Sequence, residues 1–147
     1  MVTRKLFSKS LYNAYNTPAL MAGKEYLKNK GFKITSSEED MSVDLQAIKD
    51  NKHYFFEVEV KNGWENTWPS SWKDVRIPER KTRLINYAKT NNKKLTFIIF
   101  RRDLKAAWTV DGDTVKDCEL KEISNRFVPK GEYFYIIPID RAKYIEL

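Results

Sequence analysis

The stretch Phe55-Phe56-Glu57-Val58-Glu59-Val60-Lys61 decides how the rest of the chain is read. In a strand, alternate side chains share a face. Phe56, Val58 and Val60 therefore form an apolar side, and Glu57, Glu59 and Lys61 line the other. The preceding run from Met41 to Ile48 alternates likewise, with Val43, Leu45 and Ala47 on one side and Asp44 and Gln46 on the other. Lys49-Asp50-Asn51-Lys52 separates the two runs, and Asp-Asn is acceptable tight-turn chemistry, so the pair reads as a β-hairpin.

Register decides whether the acids meet. With Asp50-Asn51 as a two-residue loop, Asp44 lies opposite Glu57 and diagonal to Glu59. A four-residue loop keeps that register, whereas a three-residue loop sends Asp44 to the opposite face. The favoured turn gathers Asp44, Glu57, Glu59 and Lys61 on one patch. Clustered carboxylates repel one another unless a cation or a lysine compensates. Hard oxygen ligands with room for water are what Mg²⁺ requires. A lone Glu-x-Lys is more often a solvated edge strand. Asp44 upstream and the apolar opposite face move the reading toward a site.

Outward from the hairpin, Thr17-Pro18 reads as an N-cap and first helical position, and the helix runs to Asn29 before Gly31 stops it. Leu20, Gly23 and Leu27 share one side of it. Phe32-Lys33-Ile34 is a short strand, followed by a polar, acidic segment from Thr35 to Asp40. Asn62 to Asp74 reads as a long loop and Pro78 to Lys89 as a second helix. Leu95 to Phe100 has the continuous apolar pattern of a buried central strand. Ala107 to Val110 and Asp113 to Val115 are expected to form a hairpin through Asp111-Gly112, and Tyr133 to Ile139 a further strand. The order is that of one mixed α/β layer.

Composition narrows the chemistry. The chain has 147 residues, enough for one compact core and short for two, so residues 1–147 read as a single domain. One cysteine, Cys118, leaves no disulfide scaffold, and one histidine, His53, leaves no His-rich zinc site. No apolar run reaches bilayer length and the first residues lack a signal-peptide core, so a cytoplasmic protein with no membrane partner is expected. Catalysis must then rest on Asp, Glu, Lys and Arg. The formal net charge of +7 suits a folded domain that meets a polyanion.

Asp44, then Glu59-Val60-Lys61 one strand later, between a helix and a helix-strand pair, resembles the PD-(D/E)XK nuclease superfamily. The segment from Gly23 to Lys61 looks most like its Holliday-junction-resolvase and phage-nuclease branches, and the resemblance covers roughly Pro18 to Phe100. It implies a restriction-endonuclease-like core: a mixed central sheet flanked by helices in the order helix-strand-strand-strand-helix-strand, with extra C-terminal strands. It also implies a Mg²⁺-dependent DNA endonuclease, with Mn²⁺ a plausible substitute. Asp44 and Glu59 would bind the metal, helped by the Val60 carbonyl, and Lys61 would be the catalytic lysine. Glu57 is open between further ligand, supporting acceptor and surface charge. Val43 stands where the family often has proline; Glu25, the acid on the first helix, projects away from its Leu20/Leu27 side. Arg83 and Tyr87 hold a Gln-x-x-x-Tyr spacing with arginine in place of glutamine. Many resolvase-like members are dimers, so a homodimer is a form this chain could take. Branched or phage-related DNA is the implied substrate, and for a phage-encoded chain the compartment is the host cytoplasm. The main alternative is a non-catalytic nucleic-acid-binding module with the same fold.

On a helix starting near Arg76, the residues Arg76, Arg80, Arg83 and Tyr87 would form one stripe, a candidate phosphate contact. Lys81 falls within the apolar side of that helix. Either it reaches over the sheet toward the acidic patch, or its stem packs while the ammonium escapes to solvent. Trp64, Trp68 and Trp72 recur every fourth position; base stacking is one use for them, but pinning the loop to the core is the commoner one.

Overall fold

The computed structural model describes residues 9–36, 43–123 and 130–147. Helix α1 (Lys9–Asn29) leads into β1 (Lys33–Ser36), β2 (Leu45–Lys49) and β3 (Lys52–Lys61). Then follow β4 (Asp74–Pro78), a 3₁₀ turn (Glu79–Lys81), α2 (Thr82–Thr90), β5 (Lys94–Arg101) and β6 (Ala106–Asp111). The chain closes with α3 (Gly112–Lys116), β7 (Glu119–Glu122), β8 (Tyr133–Pro138) and β9 (Lys143–Glu146). Six strands form one sheet in the order β1-β2-β3-β5-β6-β9, and three form a second in the order β4-β8-β7. Among the described strands only β3 and β5 pair in parallel, because the crossover through β4 and α2 returns the chain to the end where β3 began.

The central hairpin has the two-residue turn. Lys49 pairs with Lys52 and Leu45 with Phe56, while Asp50 and Asn51 take φ of 53° and 63°. Positive φ at both central residues is the type I′ geometry that matches strand twist. After α1, Gly31 sits at φ 89°, where an L side chain is disfavoured. The Phe32 N–H reaches the Leu27 carbonyl at 2.9 Å, which closes the helix as a Schellman motif.

Each face of the large sheet carries its own core. Ala19, Leu20 and Leu27 of α1 pack on Leu45, Ala47, Phe56, Val58, Ile98 and Phe100. Gly23 lets the helix approach closely, since a Cβ there would stand 3.2 Å from both Leu45 Cδ1 and Val58 Cγ1. The opposite face holds Phe55, Leu95, Phe97, Ile99 and Val110. It is covered by Leu84, Ile85 and Ala88 of α2, Val115 of α3, and Val75, Ile77, Tyr135 and Ile137 of the small sheet.

Several local expectations change. The first helix starts at Lys9, not Thr17, and runs through Pro18; a proline forfeits one backbone bond without ending a helix that is held on both sides. Residues 37–42, with most of the acidic segment and the start of the Met41 run, lie outside the described residues. Val43 packs in the core opposite to that of Leu45 and Ala47, because the chain bends at Asp44 before β2 begins. Residues 74–78 form a strand, so the helix begins only at Thr82. Asp111-Gly112 makes no hairpin: Asp111 Oδ1 accepts the Thr114 N–H at 2.9 Å and caps α3 instead.

Candidate active site

Asp44 stands at the bend that starts β2. Since that strand pairs with β3 only as far as Leu45 and Phe56, the backbone of β3 beyond Phe56 lacks a strand on this flank. The Asp44 carboxylate takes the strand's place: Oδ2 accepts the Val58 N–H at 2.9 Å. Peptide groups of alternate residues point to the same flank of a strand, so those of Val60 face the Asp44 side as well.

Glu57 lies directly across from Asp44 and uses both oxygens. Oε2 accepts the Asp44 N–H at 2.7 Å, and Oε1 accepts from Lys81 Nζ at 2.8 Å. Asp44 and Glu57 are only 8% and 5% exposed. Buried carboxylates of this kind persist because donors satisfy them. Glu59 and Lys61 follow on the same face of β3, with Lys61 Nζ 3.9 Å from Glu59 Oε1 and both side chains reached by solvent. The structure thus joins Asp44, Glu57 and Lys81 by direct bonds and leaves Glu59 and Lys61 as a looser pair further along the strand.

Lys81 does reach over the sheet toward the acids. The 3₁₀ turn after β4 aims it there, and its position among apolar neighbours was the sequence signal for a buried partner. The role of Glu57 as anchor of the Asp44 backbone had no such signal, because it depends on a bend that hydropathy does not show.

Among the described residues, no three His, Cys, Asp or Glu side chains converge as a metal cluster. Mg²⁺ does not need three, for it commonly takes one or two carboxylates plus waters and substrate phosphate. Asp44 and Glu59, with the Val60 carbonyl on the Asp44 flank of β3, are oxygen donors of the kind that demand calls for.

The arginines do not form one helical stripe. Arg76 lies exposed on β4 with its Nε 2.9 Å from Asp74 Oδ1. Arg80, in the 3₁₀ turn, donates through Nη1 to the buried Glu132 at 2.9 Å. Arg83 is exposed on α2, as is Tyr87, which stacks on Phe55 with ring centroids 5.7 Å apart. The rim continues at the end of β5, where the Arg101 guanidinium, 2.8 Å from Asp103, holds that carboxyl below its ordinary range.

The tryptophans pin the loop after Lys61 to the core. Trp64 is fully buried, its backbone N–H donates to the Lys61 carbonyl, and its carbonyl accepts the Arg102 backbone N–H. Trp68 meets Trp64 and Trp72 edge to face, at 4.9 and 5.1 Å, and packs on Trp108. Fixing Trp64 also fixes the end of the strand that carries Glu59 and Lys61.

No protein-family model and no curated protein matches the chain. Among solved structures, it is similar to a Holliday junction resolvase, Hjc, from the archaeal hyperthermophile Archaeoglobus fulgidus. That likeness has 10% identity and a TM-score of 0.51, over 82% of this chain and 84% of the other. A nuclease from a fusselovirus is similar at 15% identity and a TM-score of 0.48, over 94% and 88% of the two chains. At such identity the first likeness is one of fold. Together with the mixed six-stranded sheet and the helix-hairpin-helix-strand order, it makes this a restriction-endonuclease-like fold, as the Asp44 and Glu59-Val60-Lys61 resemblance implied.

Proposed function

We propose that this chain is a metal-dependent endonuclease that hydrolyses phosphodiester bonds in DNA. The observation that carries the reading is the Asp44 carboxylate, seated on the β3 backbone at Val58, one residue before the half-buried Glu59–Lys61 pair. Asp44, Glu59 and the Val60 carbonyl would hold Mg²⁺, or Mn²⁺ in its place. The ion, when bound, supplies positive charge that polarises a phosphodiester oxygen and lowers the pKa of water. Glu57 keeps Asp44 in place through its N–H, and Lys81 balances the buried charge of Glu57. Lys61 orients the attacking water, takes its proton, or offsets charge gathering on the phosphate. Arg83, with Arg76 and Arg80 nearby in sequence, offers guanidinium groups to flanking phosphates.

The register favours a second assignment of the same reaction. Glu57, not Glu59, stands opposite Asp44, and its lysine is Lys81 at 2.8 Å. In that case Glu57 is the second ligand and Lys81 acts where Lys61 was expected.

The test incubates the purified chain with supercoiled, branched and single-stranded DNA, with Mg²⁺, Mn²⁺ or EDTA. Metal-dependent cutting lost by about a hundredfold or more in Asp44→Asn supports the reading. A matching loss in Glu59→Gln and Lys61→Met, with Glu57→Gln and Lys81→Met active, selects the first assignment; the reverse selects the second. Salt-sensitive DNA binding without cutting would leave the non-catalytic binding module. Ranking the substrates tests the preference for branched or phage-related DNA. Sedimentation of the same sample tests the homodimer. Among the described residues no helix is long and apolar enough to cross a membrane. The cytoplasm, or the host cytoplasm for a phage protein, is the compartment we propose.

A further inference from the structure

The large sheet has two unlike ends. Asp44, Glu57, Glu59 and Lys61 lie toward the end where β3 and β5 finish. At the other end β1 starts at Lys33, β2 finishes at Lys49, β3 starts at Lys52 and β5 starts at Lys94. The last turn of α1 adds Lys28, and Lys49 Nζ donates to the Lys30 carbonyl at 2.7 Å, so the end of this helix lies at the same place. Lys93 precedes β5 with its ammonium 5.8 Å from the centroid of Phe55, and the Lys49 ammonium lies 5.1 Å from that of Phe32. Ring faces hold these two cations by attraction to the aromatic quadrupole.

Ion pairs among the described residues use Lys61, Arg76, Arg80, Lys81, Arg101, Arg102 and Arg141, and none of the lysines at this end. Asp50 lies at the turn between Lys49 and Lys52, and Glu25 one helical turn before Lys28. Beyond Lys94 the surface becomes mixed, with Asp111 and Asp140 lining a shallow cleft beside Lys94 and Lys143. Cross-strand spacing of about 5 Å sets Lys49 beside Lys52, and Lys94 is one strand and two residues away. Lys28, Lys33, Lys49, Lys52, Lys93 and Lys94 thus gather at one end of α1 and of four neighbouring strands, in a chain whose whole formal excess is +7.

We propose that this lysine end of the sheet is a second nucleic-acid contact, which grips the duplex phosphate backbone away from the bond that is cut. The nature of the polyanion rests on the nuclease reading above. Among the described residues, none of the large exposed apolar side chains that insertion into a lipid surface would use belongs to this end: Met21 lies two turns before Lys28 on α1, Leu120, Tyr133, Tyr144 and Leu147 belong to other elements, and Tyr87 is stacked on Phe55. From Lys52 to Glu59 is seven residues of strand, about 23 Å at 3.3 Å per residue. A duplex extending about seven base pairs beyond the cut can therefore touch both ends of the sheet.

Four exposed members, Lys28, Lys33, Lys52 and Lys94, are changed together to Gln in the full chain. Binding to a 30-base-pair duplex is followed by fluorescence anisotropy across a salt series in EDTA, so that nothing is cut. Each phosphate neutralised contributes roughly 0.9 to the slope of log affinity on log salt. The slope should drop by roughly 3 to 4 and low-salt affinity by at least tenfold, with the melting temperature unchanged. A control variant removes four exposed lysines elsewhere, Lys73, Lys105, Lys116 and Lys121, and should change the slope by less than 1. An unchanged slope in the patch variant, an equal drop in the control, or loss of binding to phosphatidylserine vesicles in place of duplex would each overturn the proposal. Wild-type cutting is assayed in parallel. A chain that binds through the patch but never cuts defeats the nuclease reading alone, and one that cuts with an unaltered slope defeats the patch alone.

Discussion

Glu57 has one oxygen on the Asp44 N–H and the other on Lys81, so its charge is tolerated only while both donors remain. Removing one partner of a buried pair strands the other charge, which costs more than the pair itself contributes. Lys81 keeps part of its side chain in water, which tempers the effect. Lys81→Met should lower unfolding free energy by about 1–3 kcal/mol in urea titration, whereas Lys61→Met, at a solvent-reached pair, should change it by less than about 0.5 kcal/mol. Equal effects would mean that Glu57 is hydrated after all. Cys118 offers a different readout. Burial pushes its thiol up from the ordinary value, against a smaller lowering by Arg141, and Sγ donates to the Thr114 carbonyl at 3.1 Å. A thiol whose folded pKa is raised adds stability below the unfolded pKa and loses it as pH rises through the folded one. Iodoacetamide should thus alkylate Cys118 with a pH midpoint more alkaline in the folded chain than in urea, and Arg141→Ala should move it further up. Coincident folded and unfolded profiles would refute this.

Among the elements, the β2–β3 hairpin sets the position of everything at the candidate site. Asp50 and Asn51 both adopt positive φ, where glycine is the better second residue. Asn51→Gly should stabilise the chain by about 0.5 kcal/mol without altering register, measurable as a rise in the urea midpoint at constant slope. A fall in stability would show that Asn51 makes a contribution beyond its backbone. This hairpin was also the most legible part of the sequence. Alternation over Phe55 to Lys61 and a tight Asp-Asn turn were enough to place Asp44 across from Glu57. The bend at Asp44 was not legible, so neither was the turning of Val43 into the opposite core. The arginine stripe failed because spacings of 4, 3 and 4 assumed a helix starting near Arg76, where Val75-Arg76-Ile77 carries the apolar-polar-apolar alternation of the strand that forms there. Asp111-Gly112 likewise carried two meanings, and Thr114 three residues after Asp111 resolved them toward an N-cap.

For the whole molecule, what sequence patterns could not foresee was a second sheet. The strand at Tyr133 to Ile139 was legible and is β8, but β7 is exposed along its length and β4 pairs with a strand about sixty residues away, so no local pattern announces that the three form a sheet of their own. Yet Val75, Ile77, Tyr135 and Ile137 of this sheet share one core with Phe55, Phe97, Ile99 and Val110 of the large one, and Thr82 Oγ1 meets Tyr135 Oη at 2.6 Å. Melting the small sheet alone would expose that apolar face of β3 and β5 to water, at about 25 cal/mol for each Å² uncovered. It would also release the turn that holds Lys81 over Glu57. The two sheets should therefore unfold together, as one domain spanning both. Urea transitions followed by tryptophan fluorescence, which reports the Trp64–Trp68–Trp72–Trp108 cluster, should coincide with those followed by far-ultraviolet circular dichroism. Hydrogen exchange should give the amides of β8 opening energies near those of β5. An early transition confined to β4, β7 and β8 would instead make the small sheet a separable layer, and Lys81 would then be tethered to a part of the molecule that opens on its own.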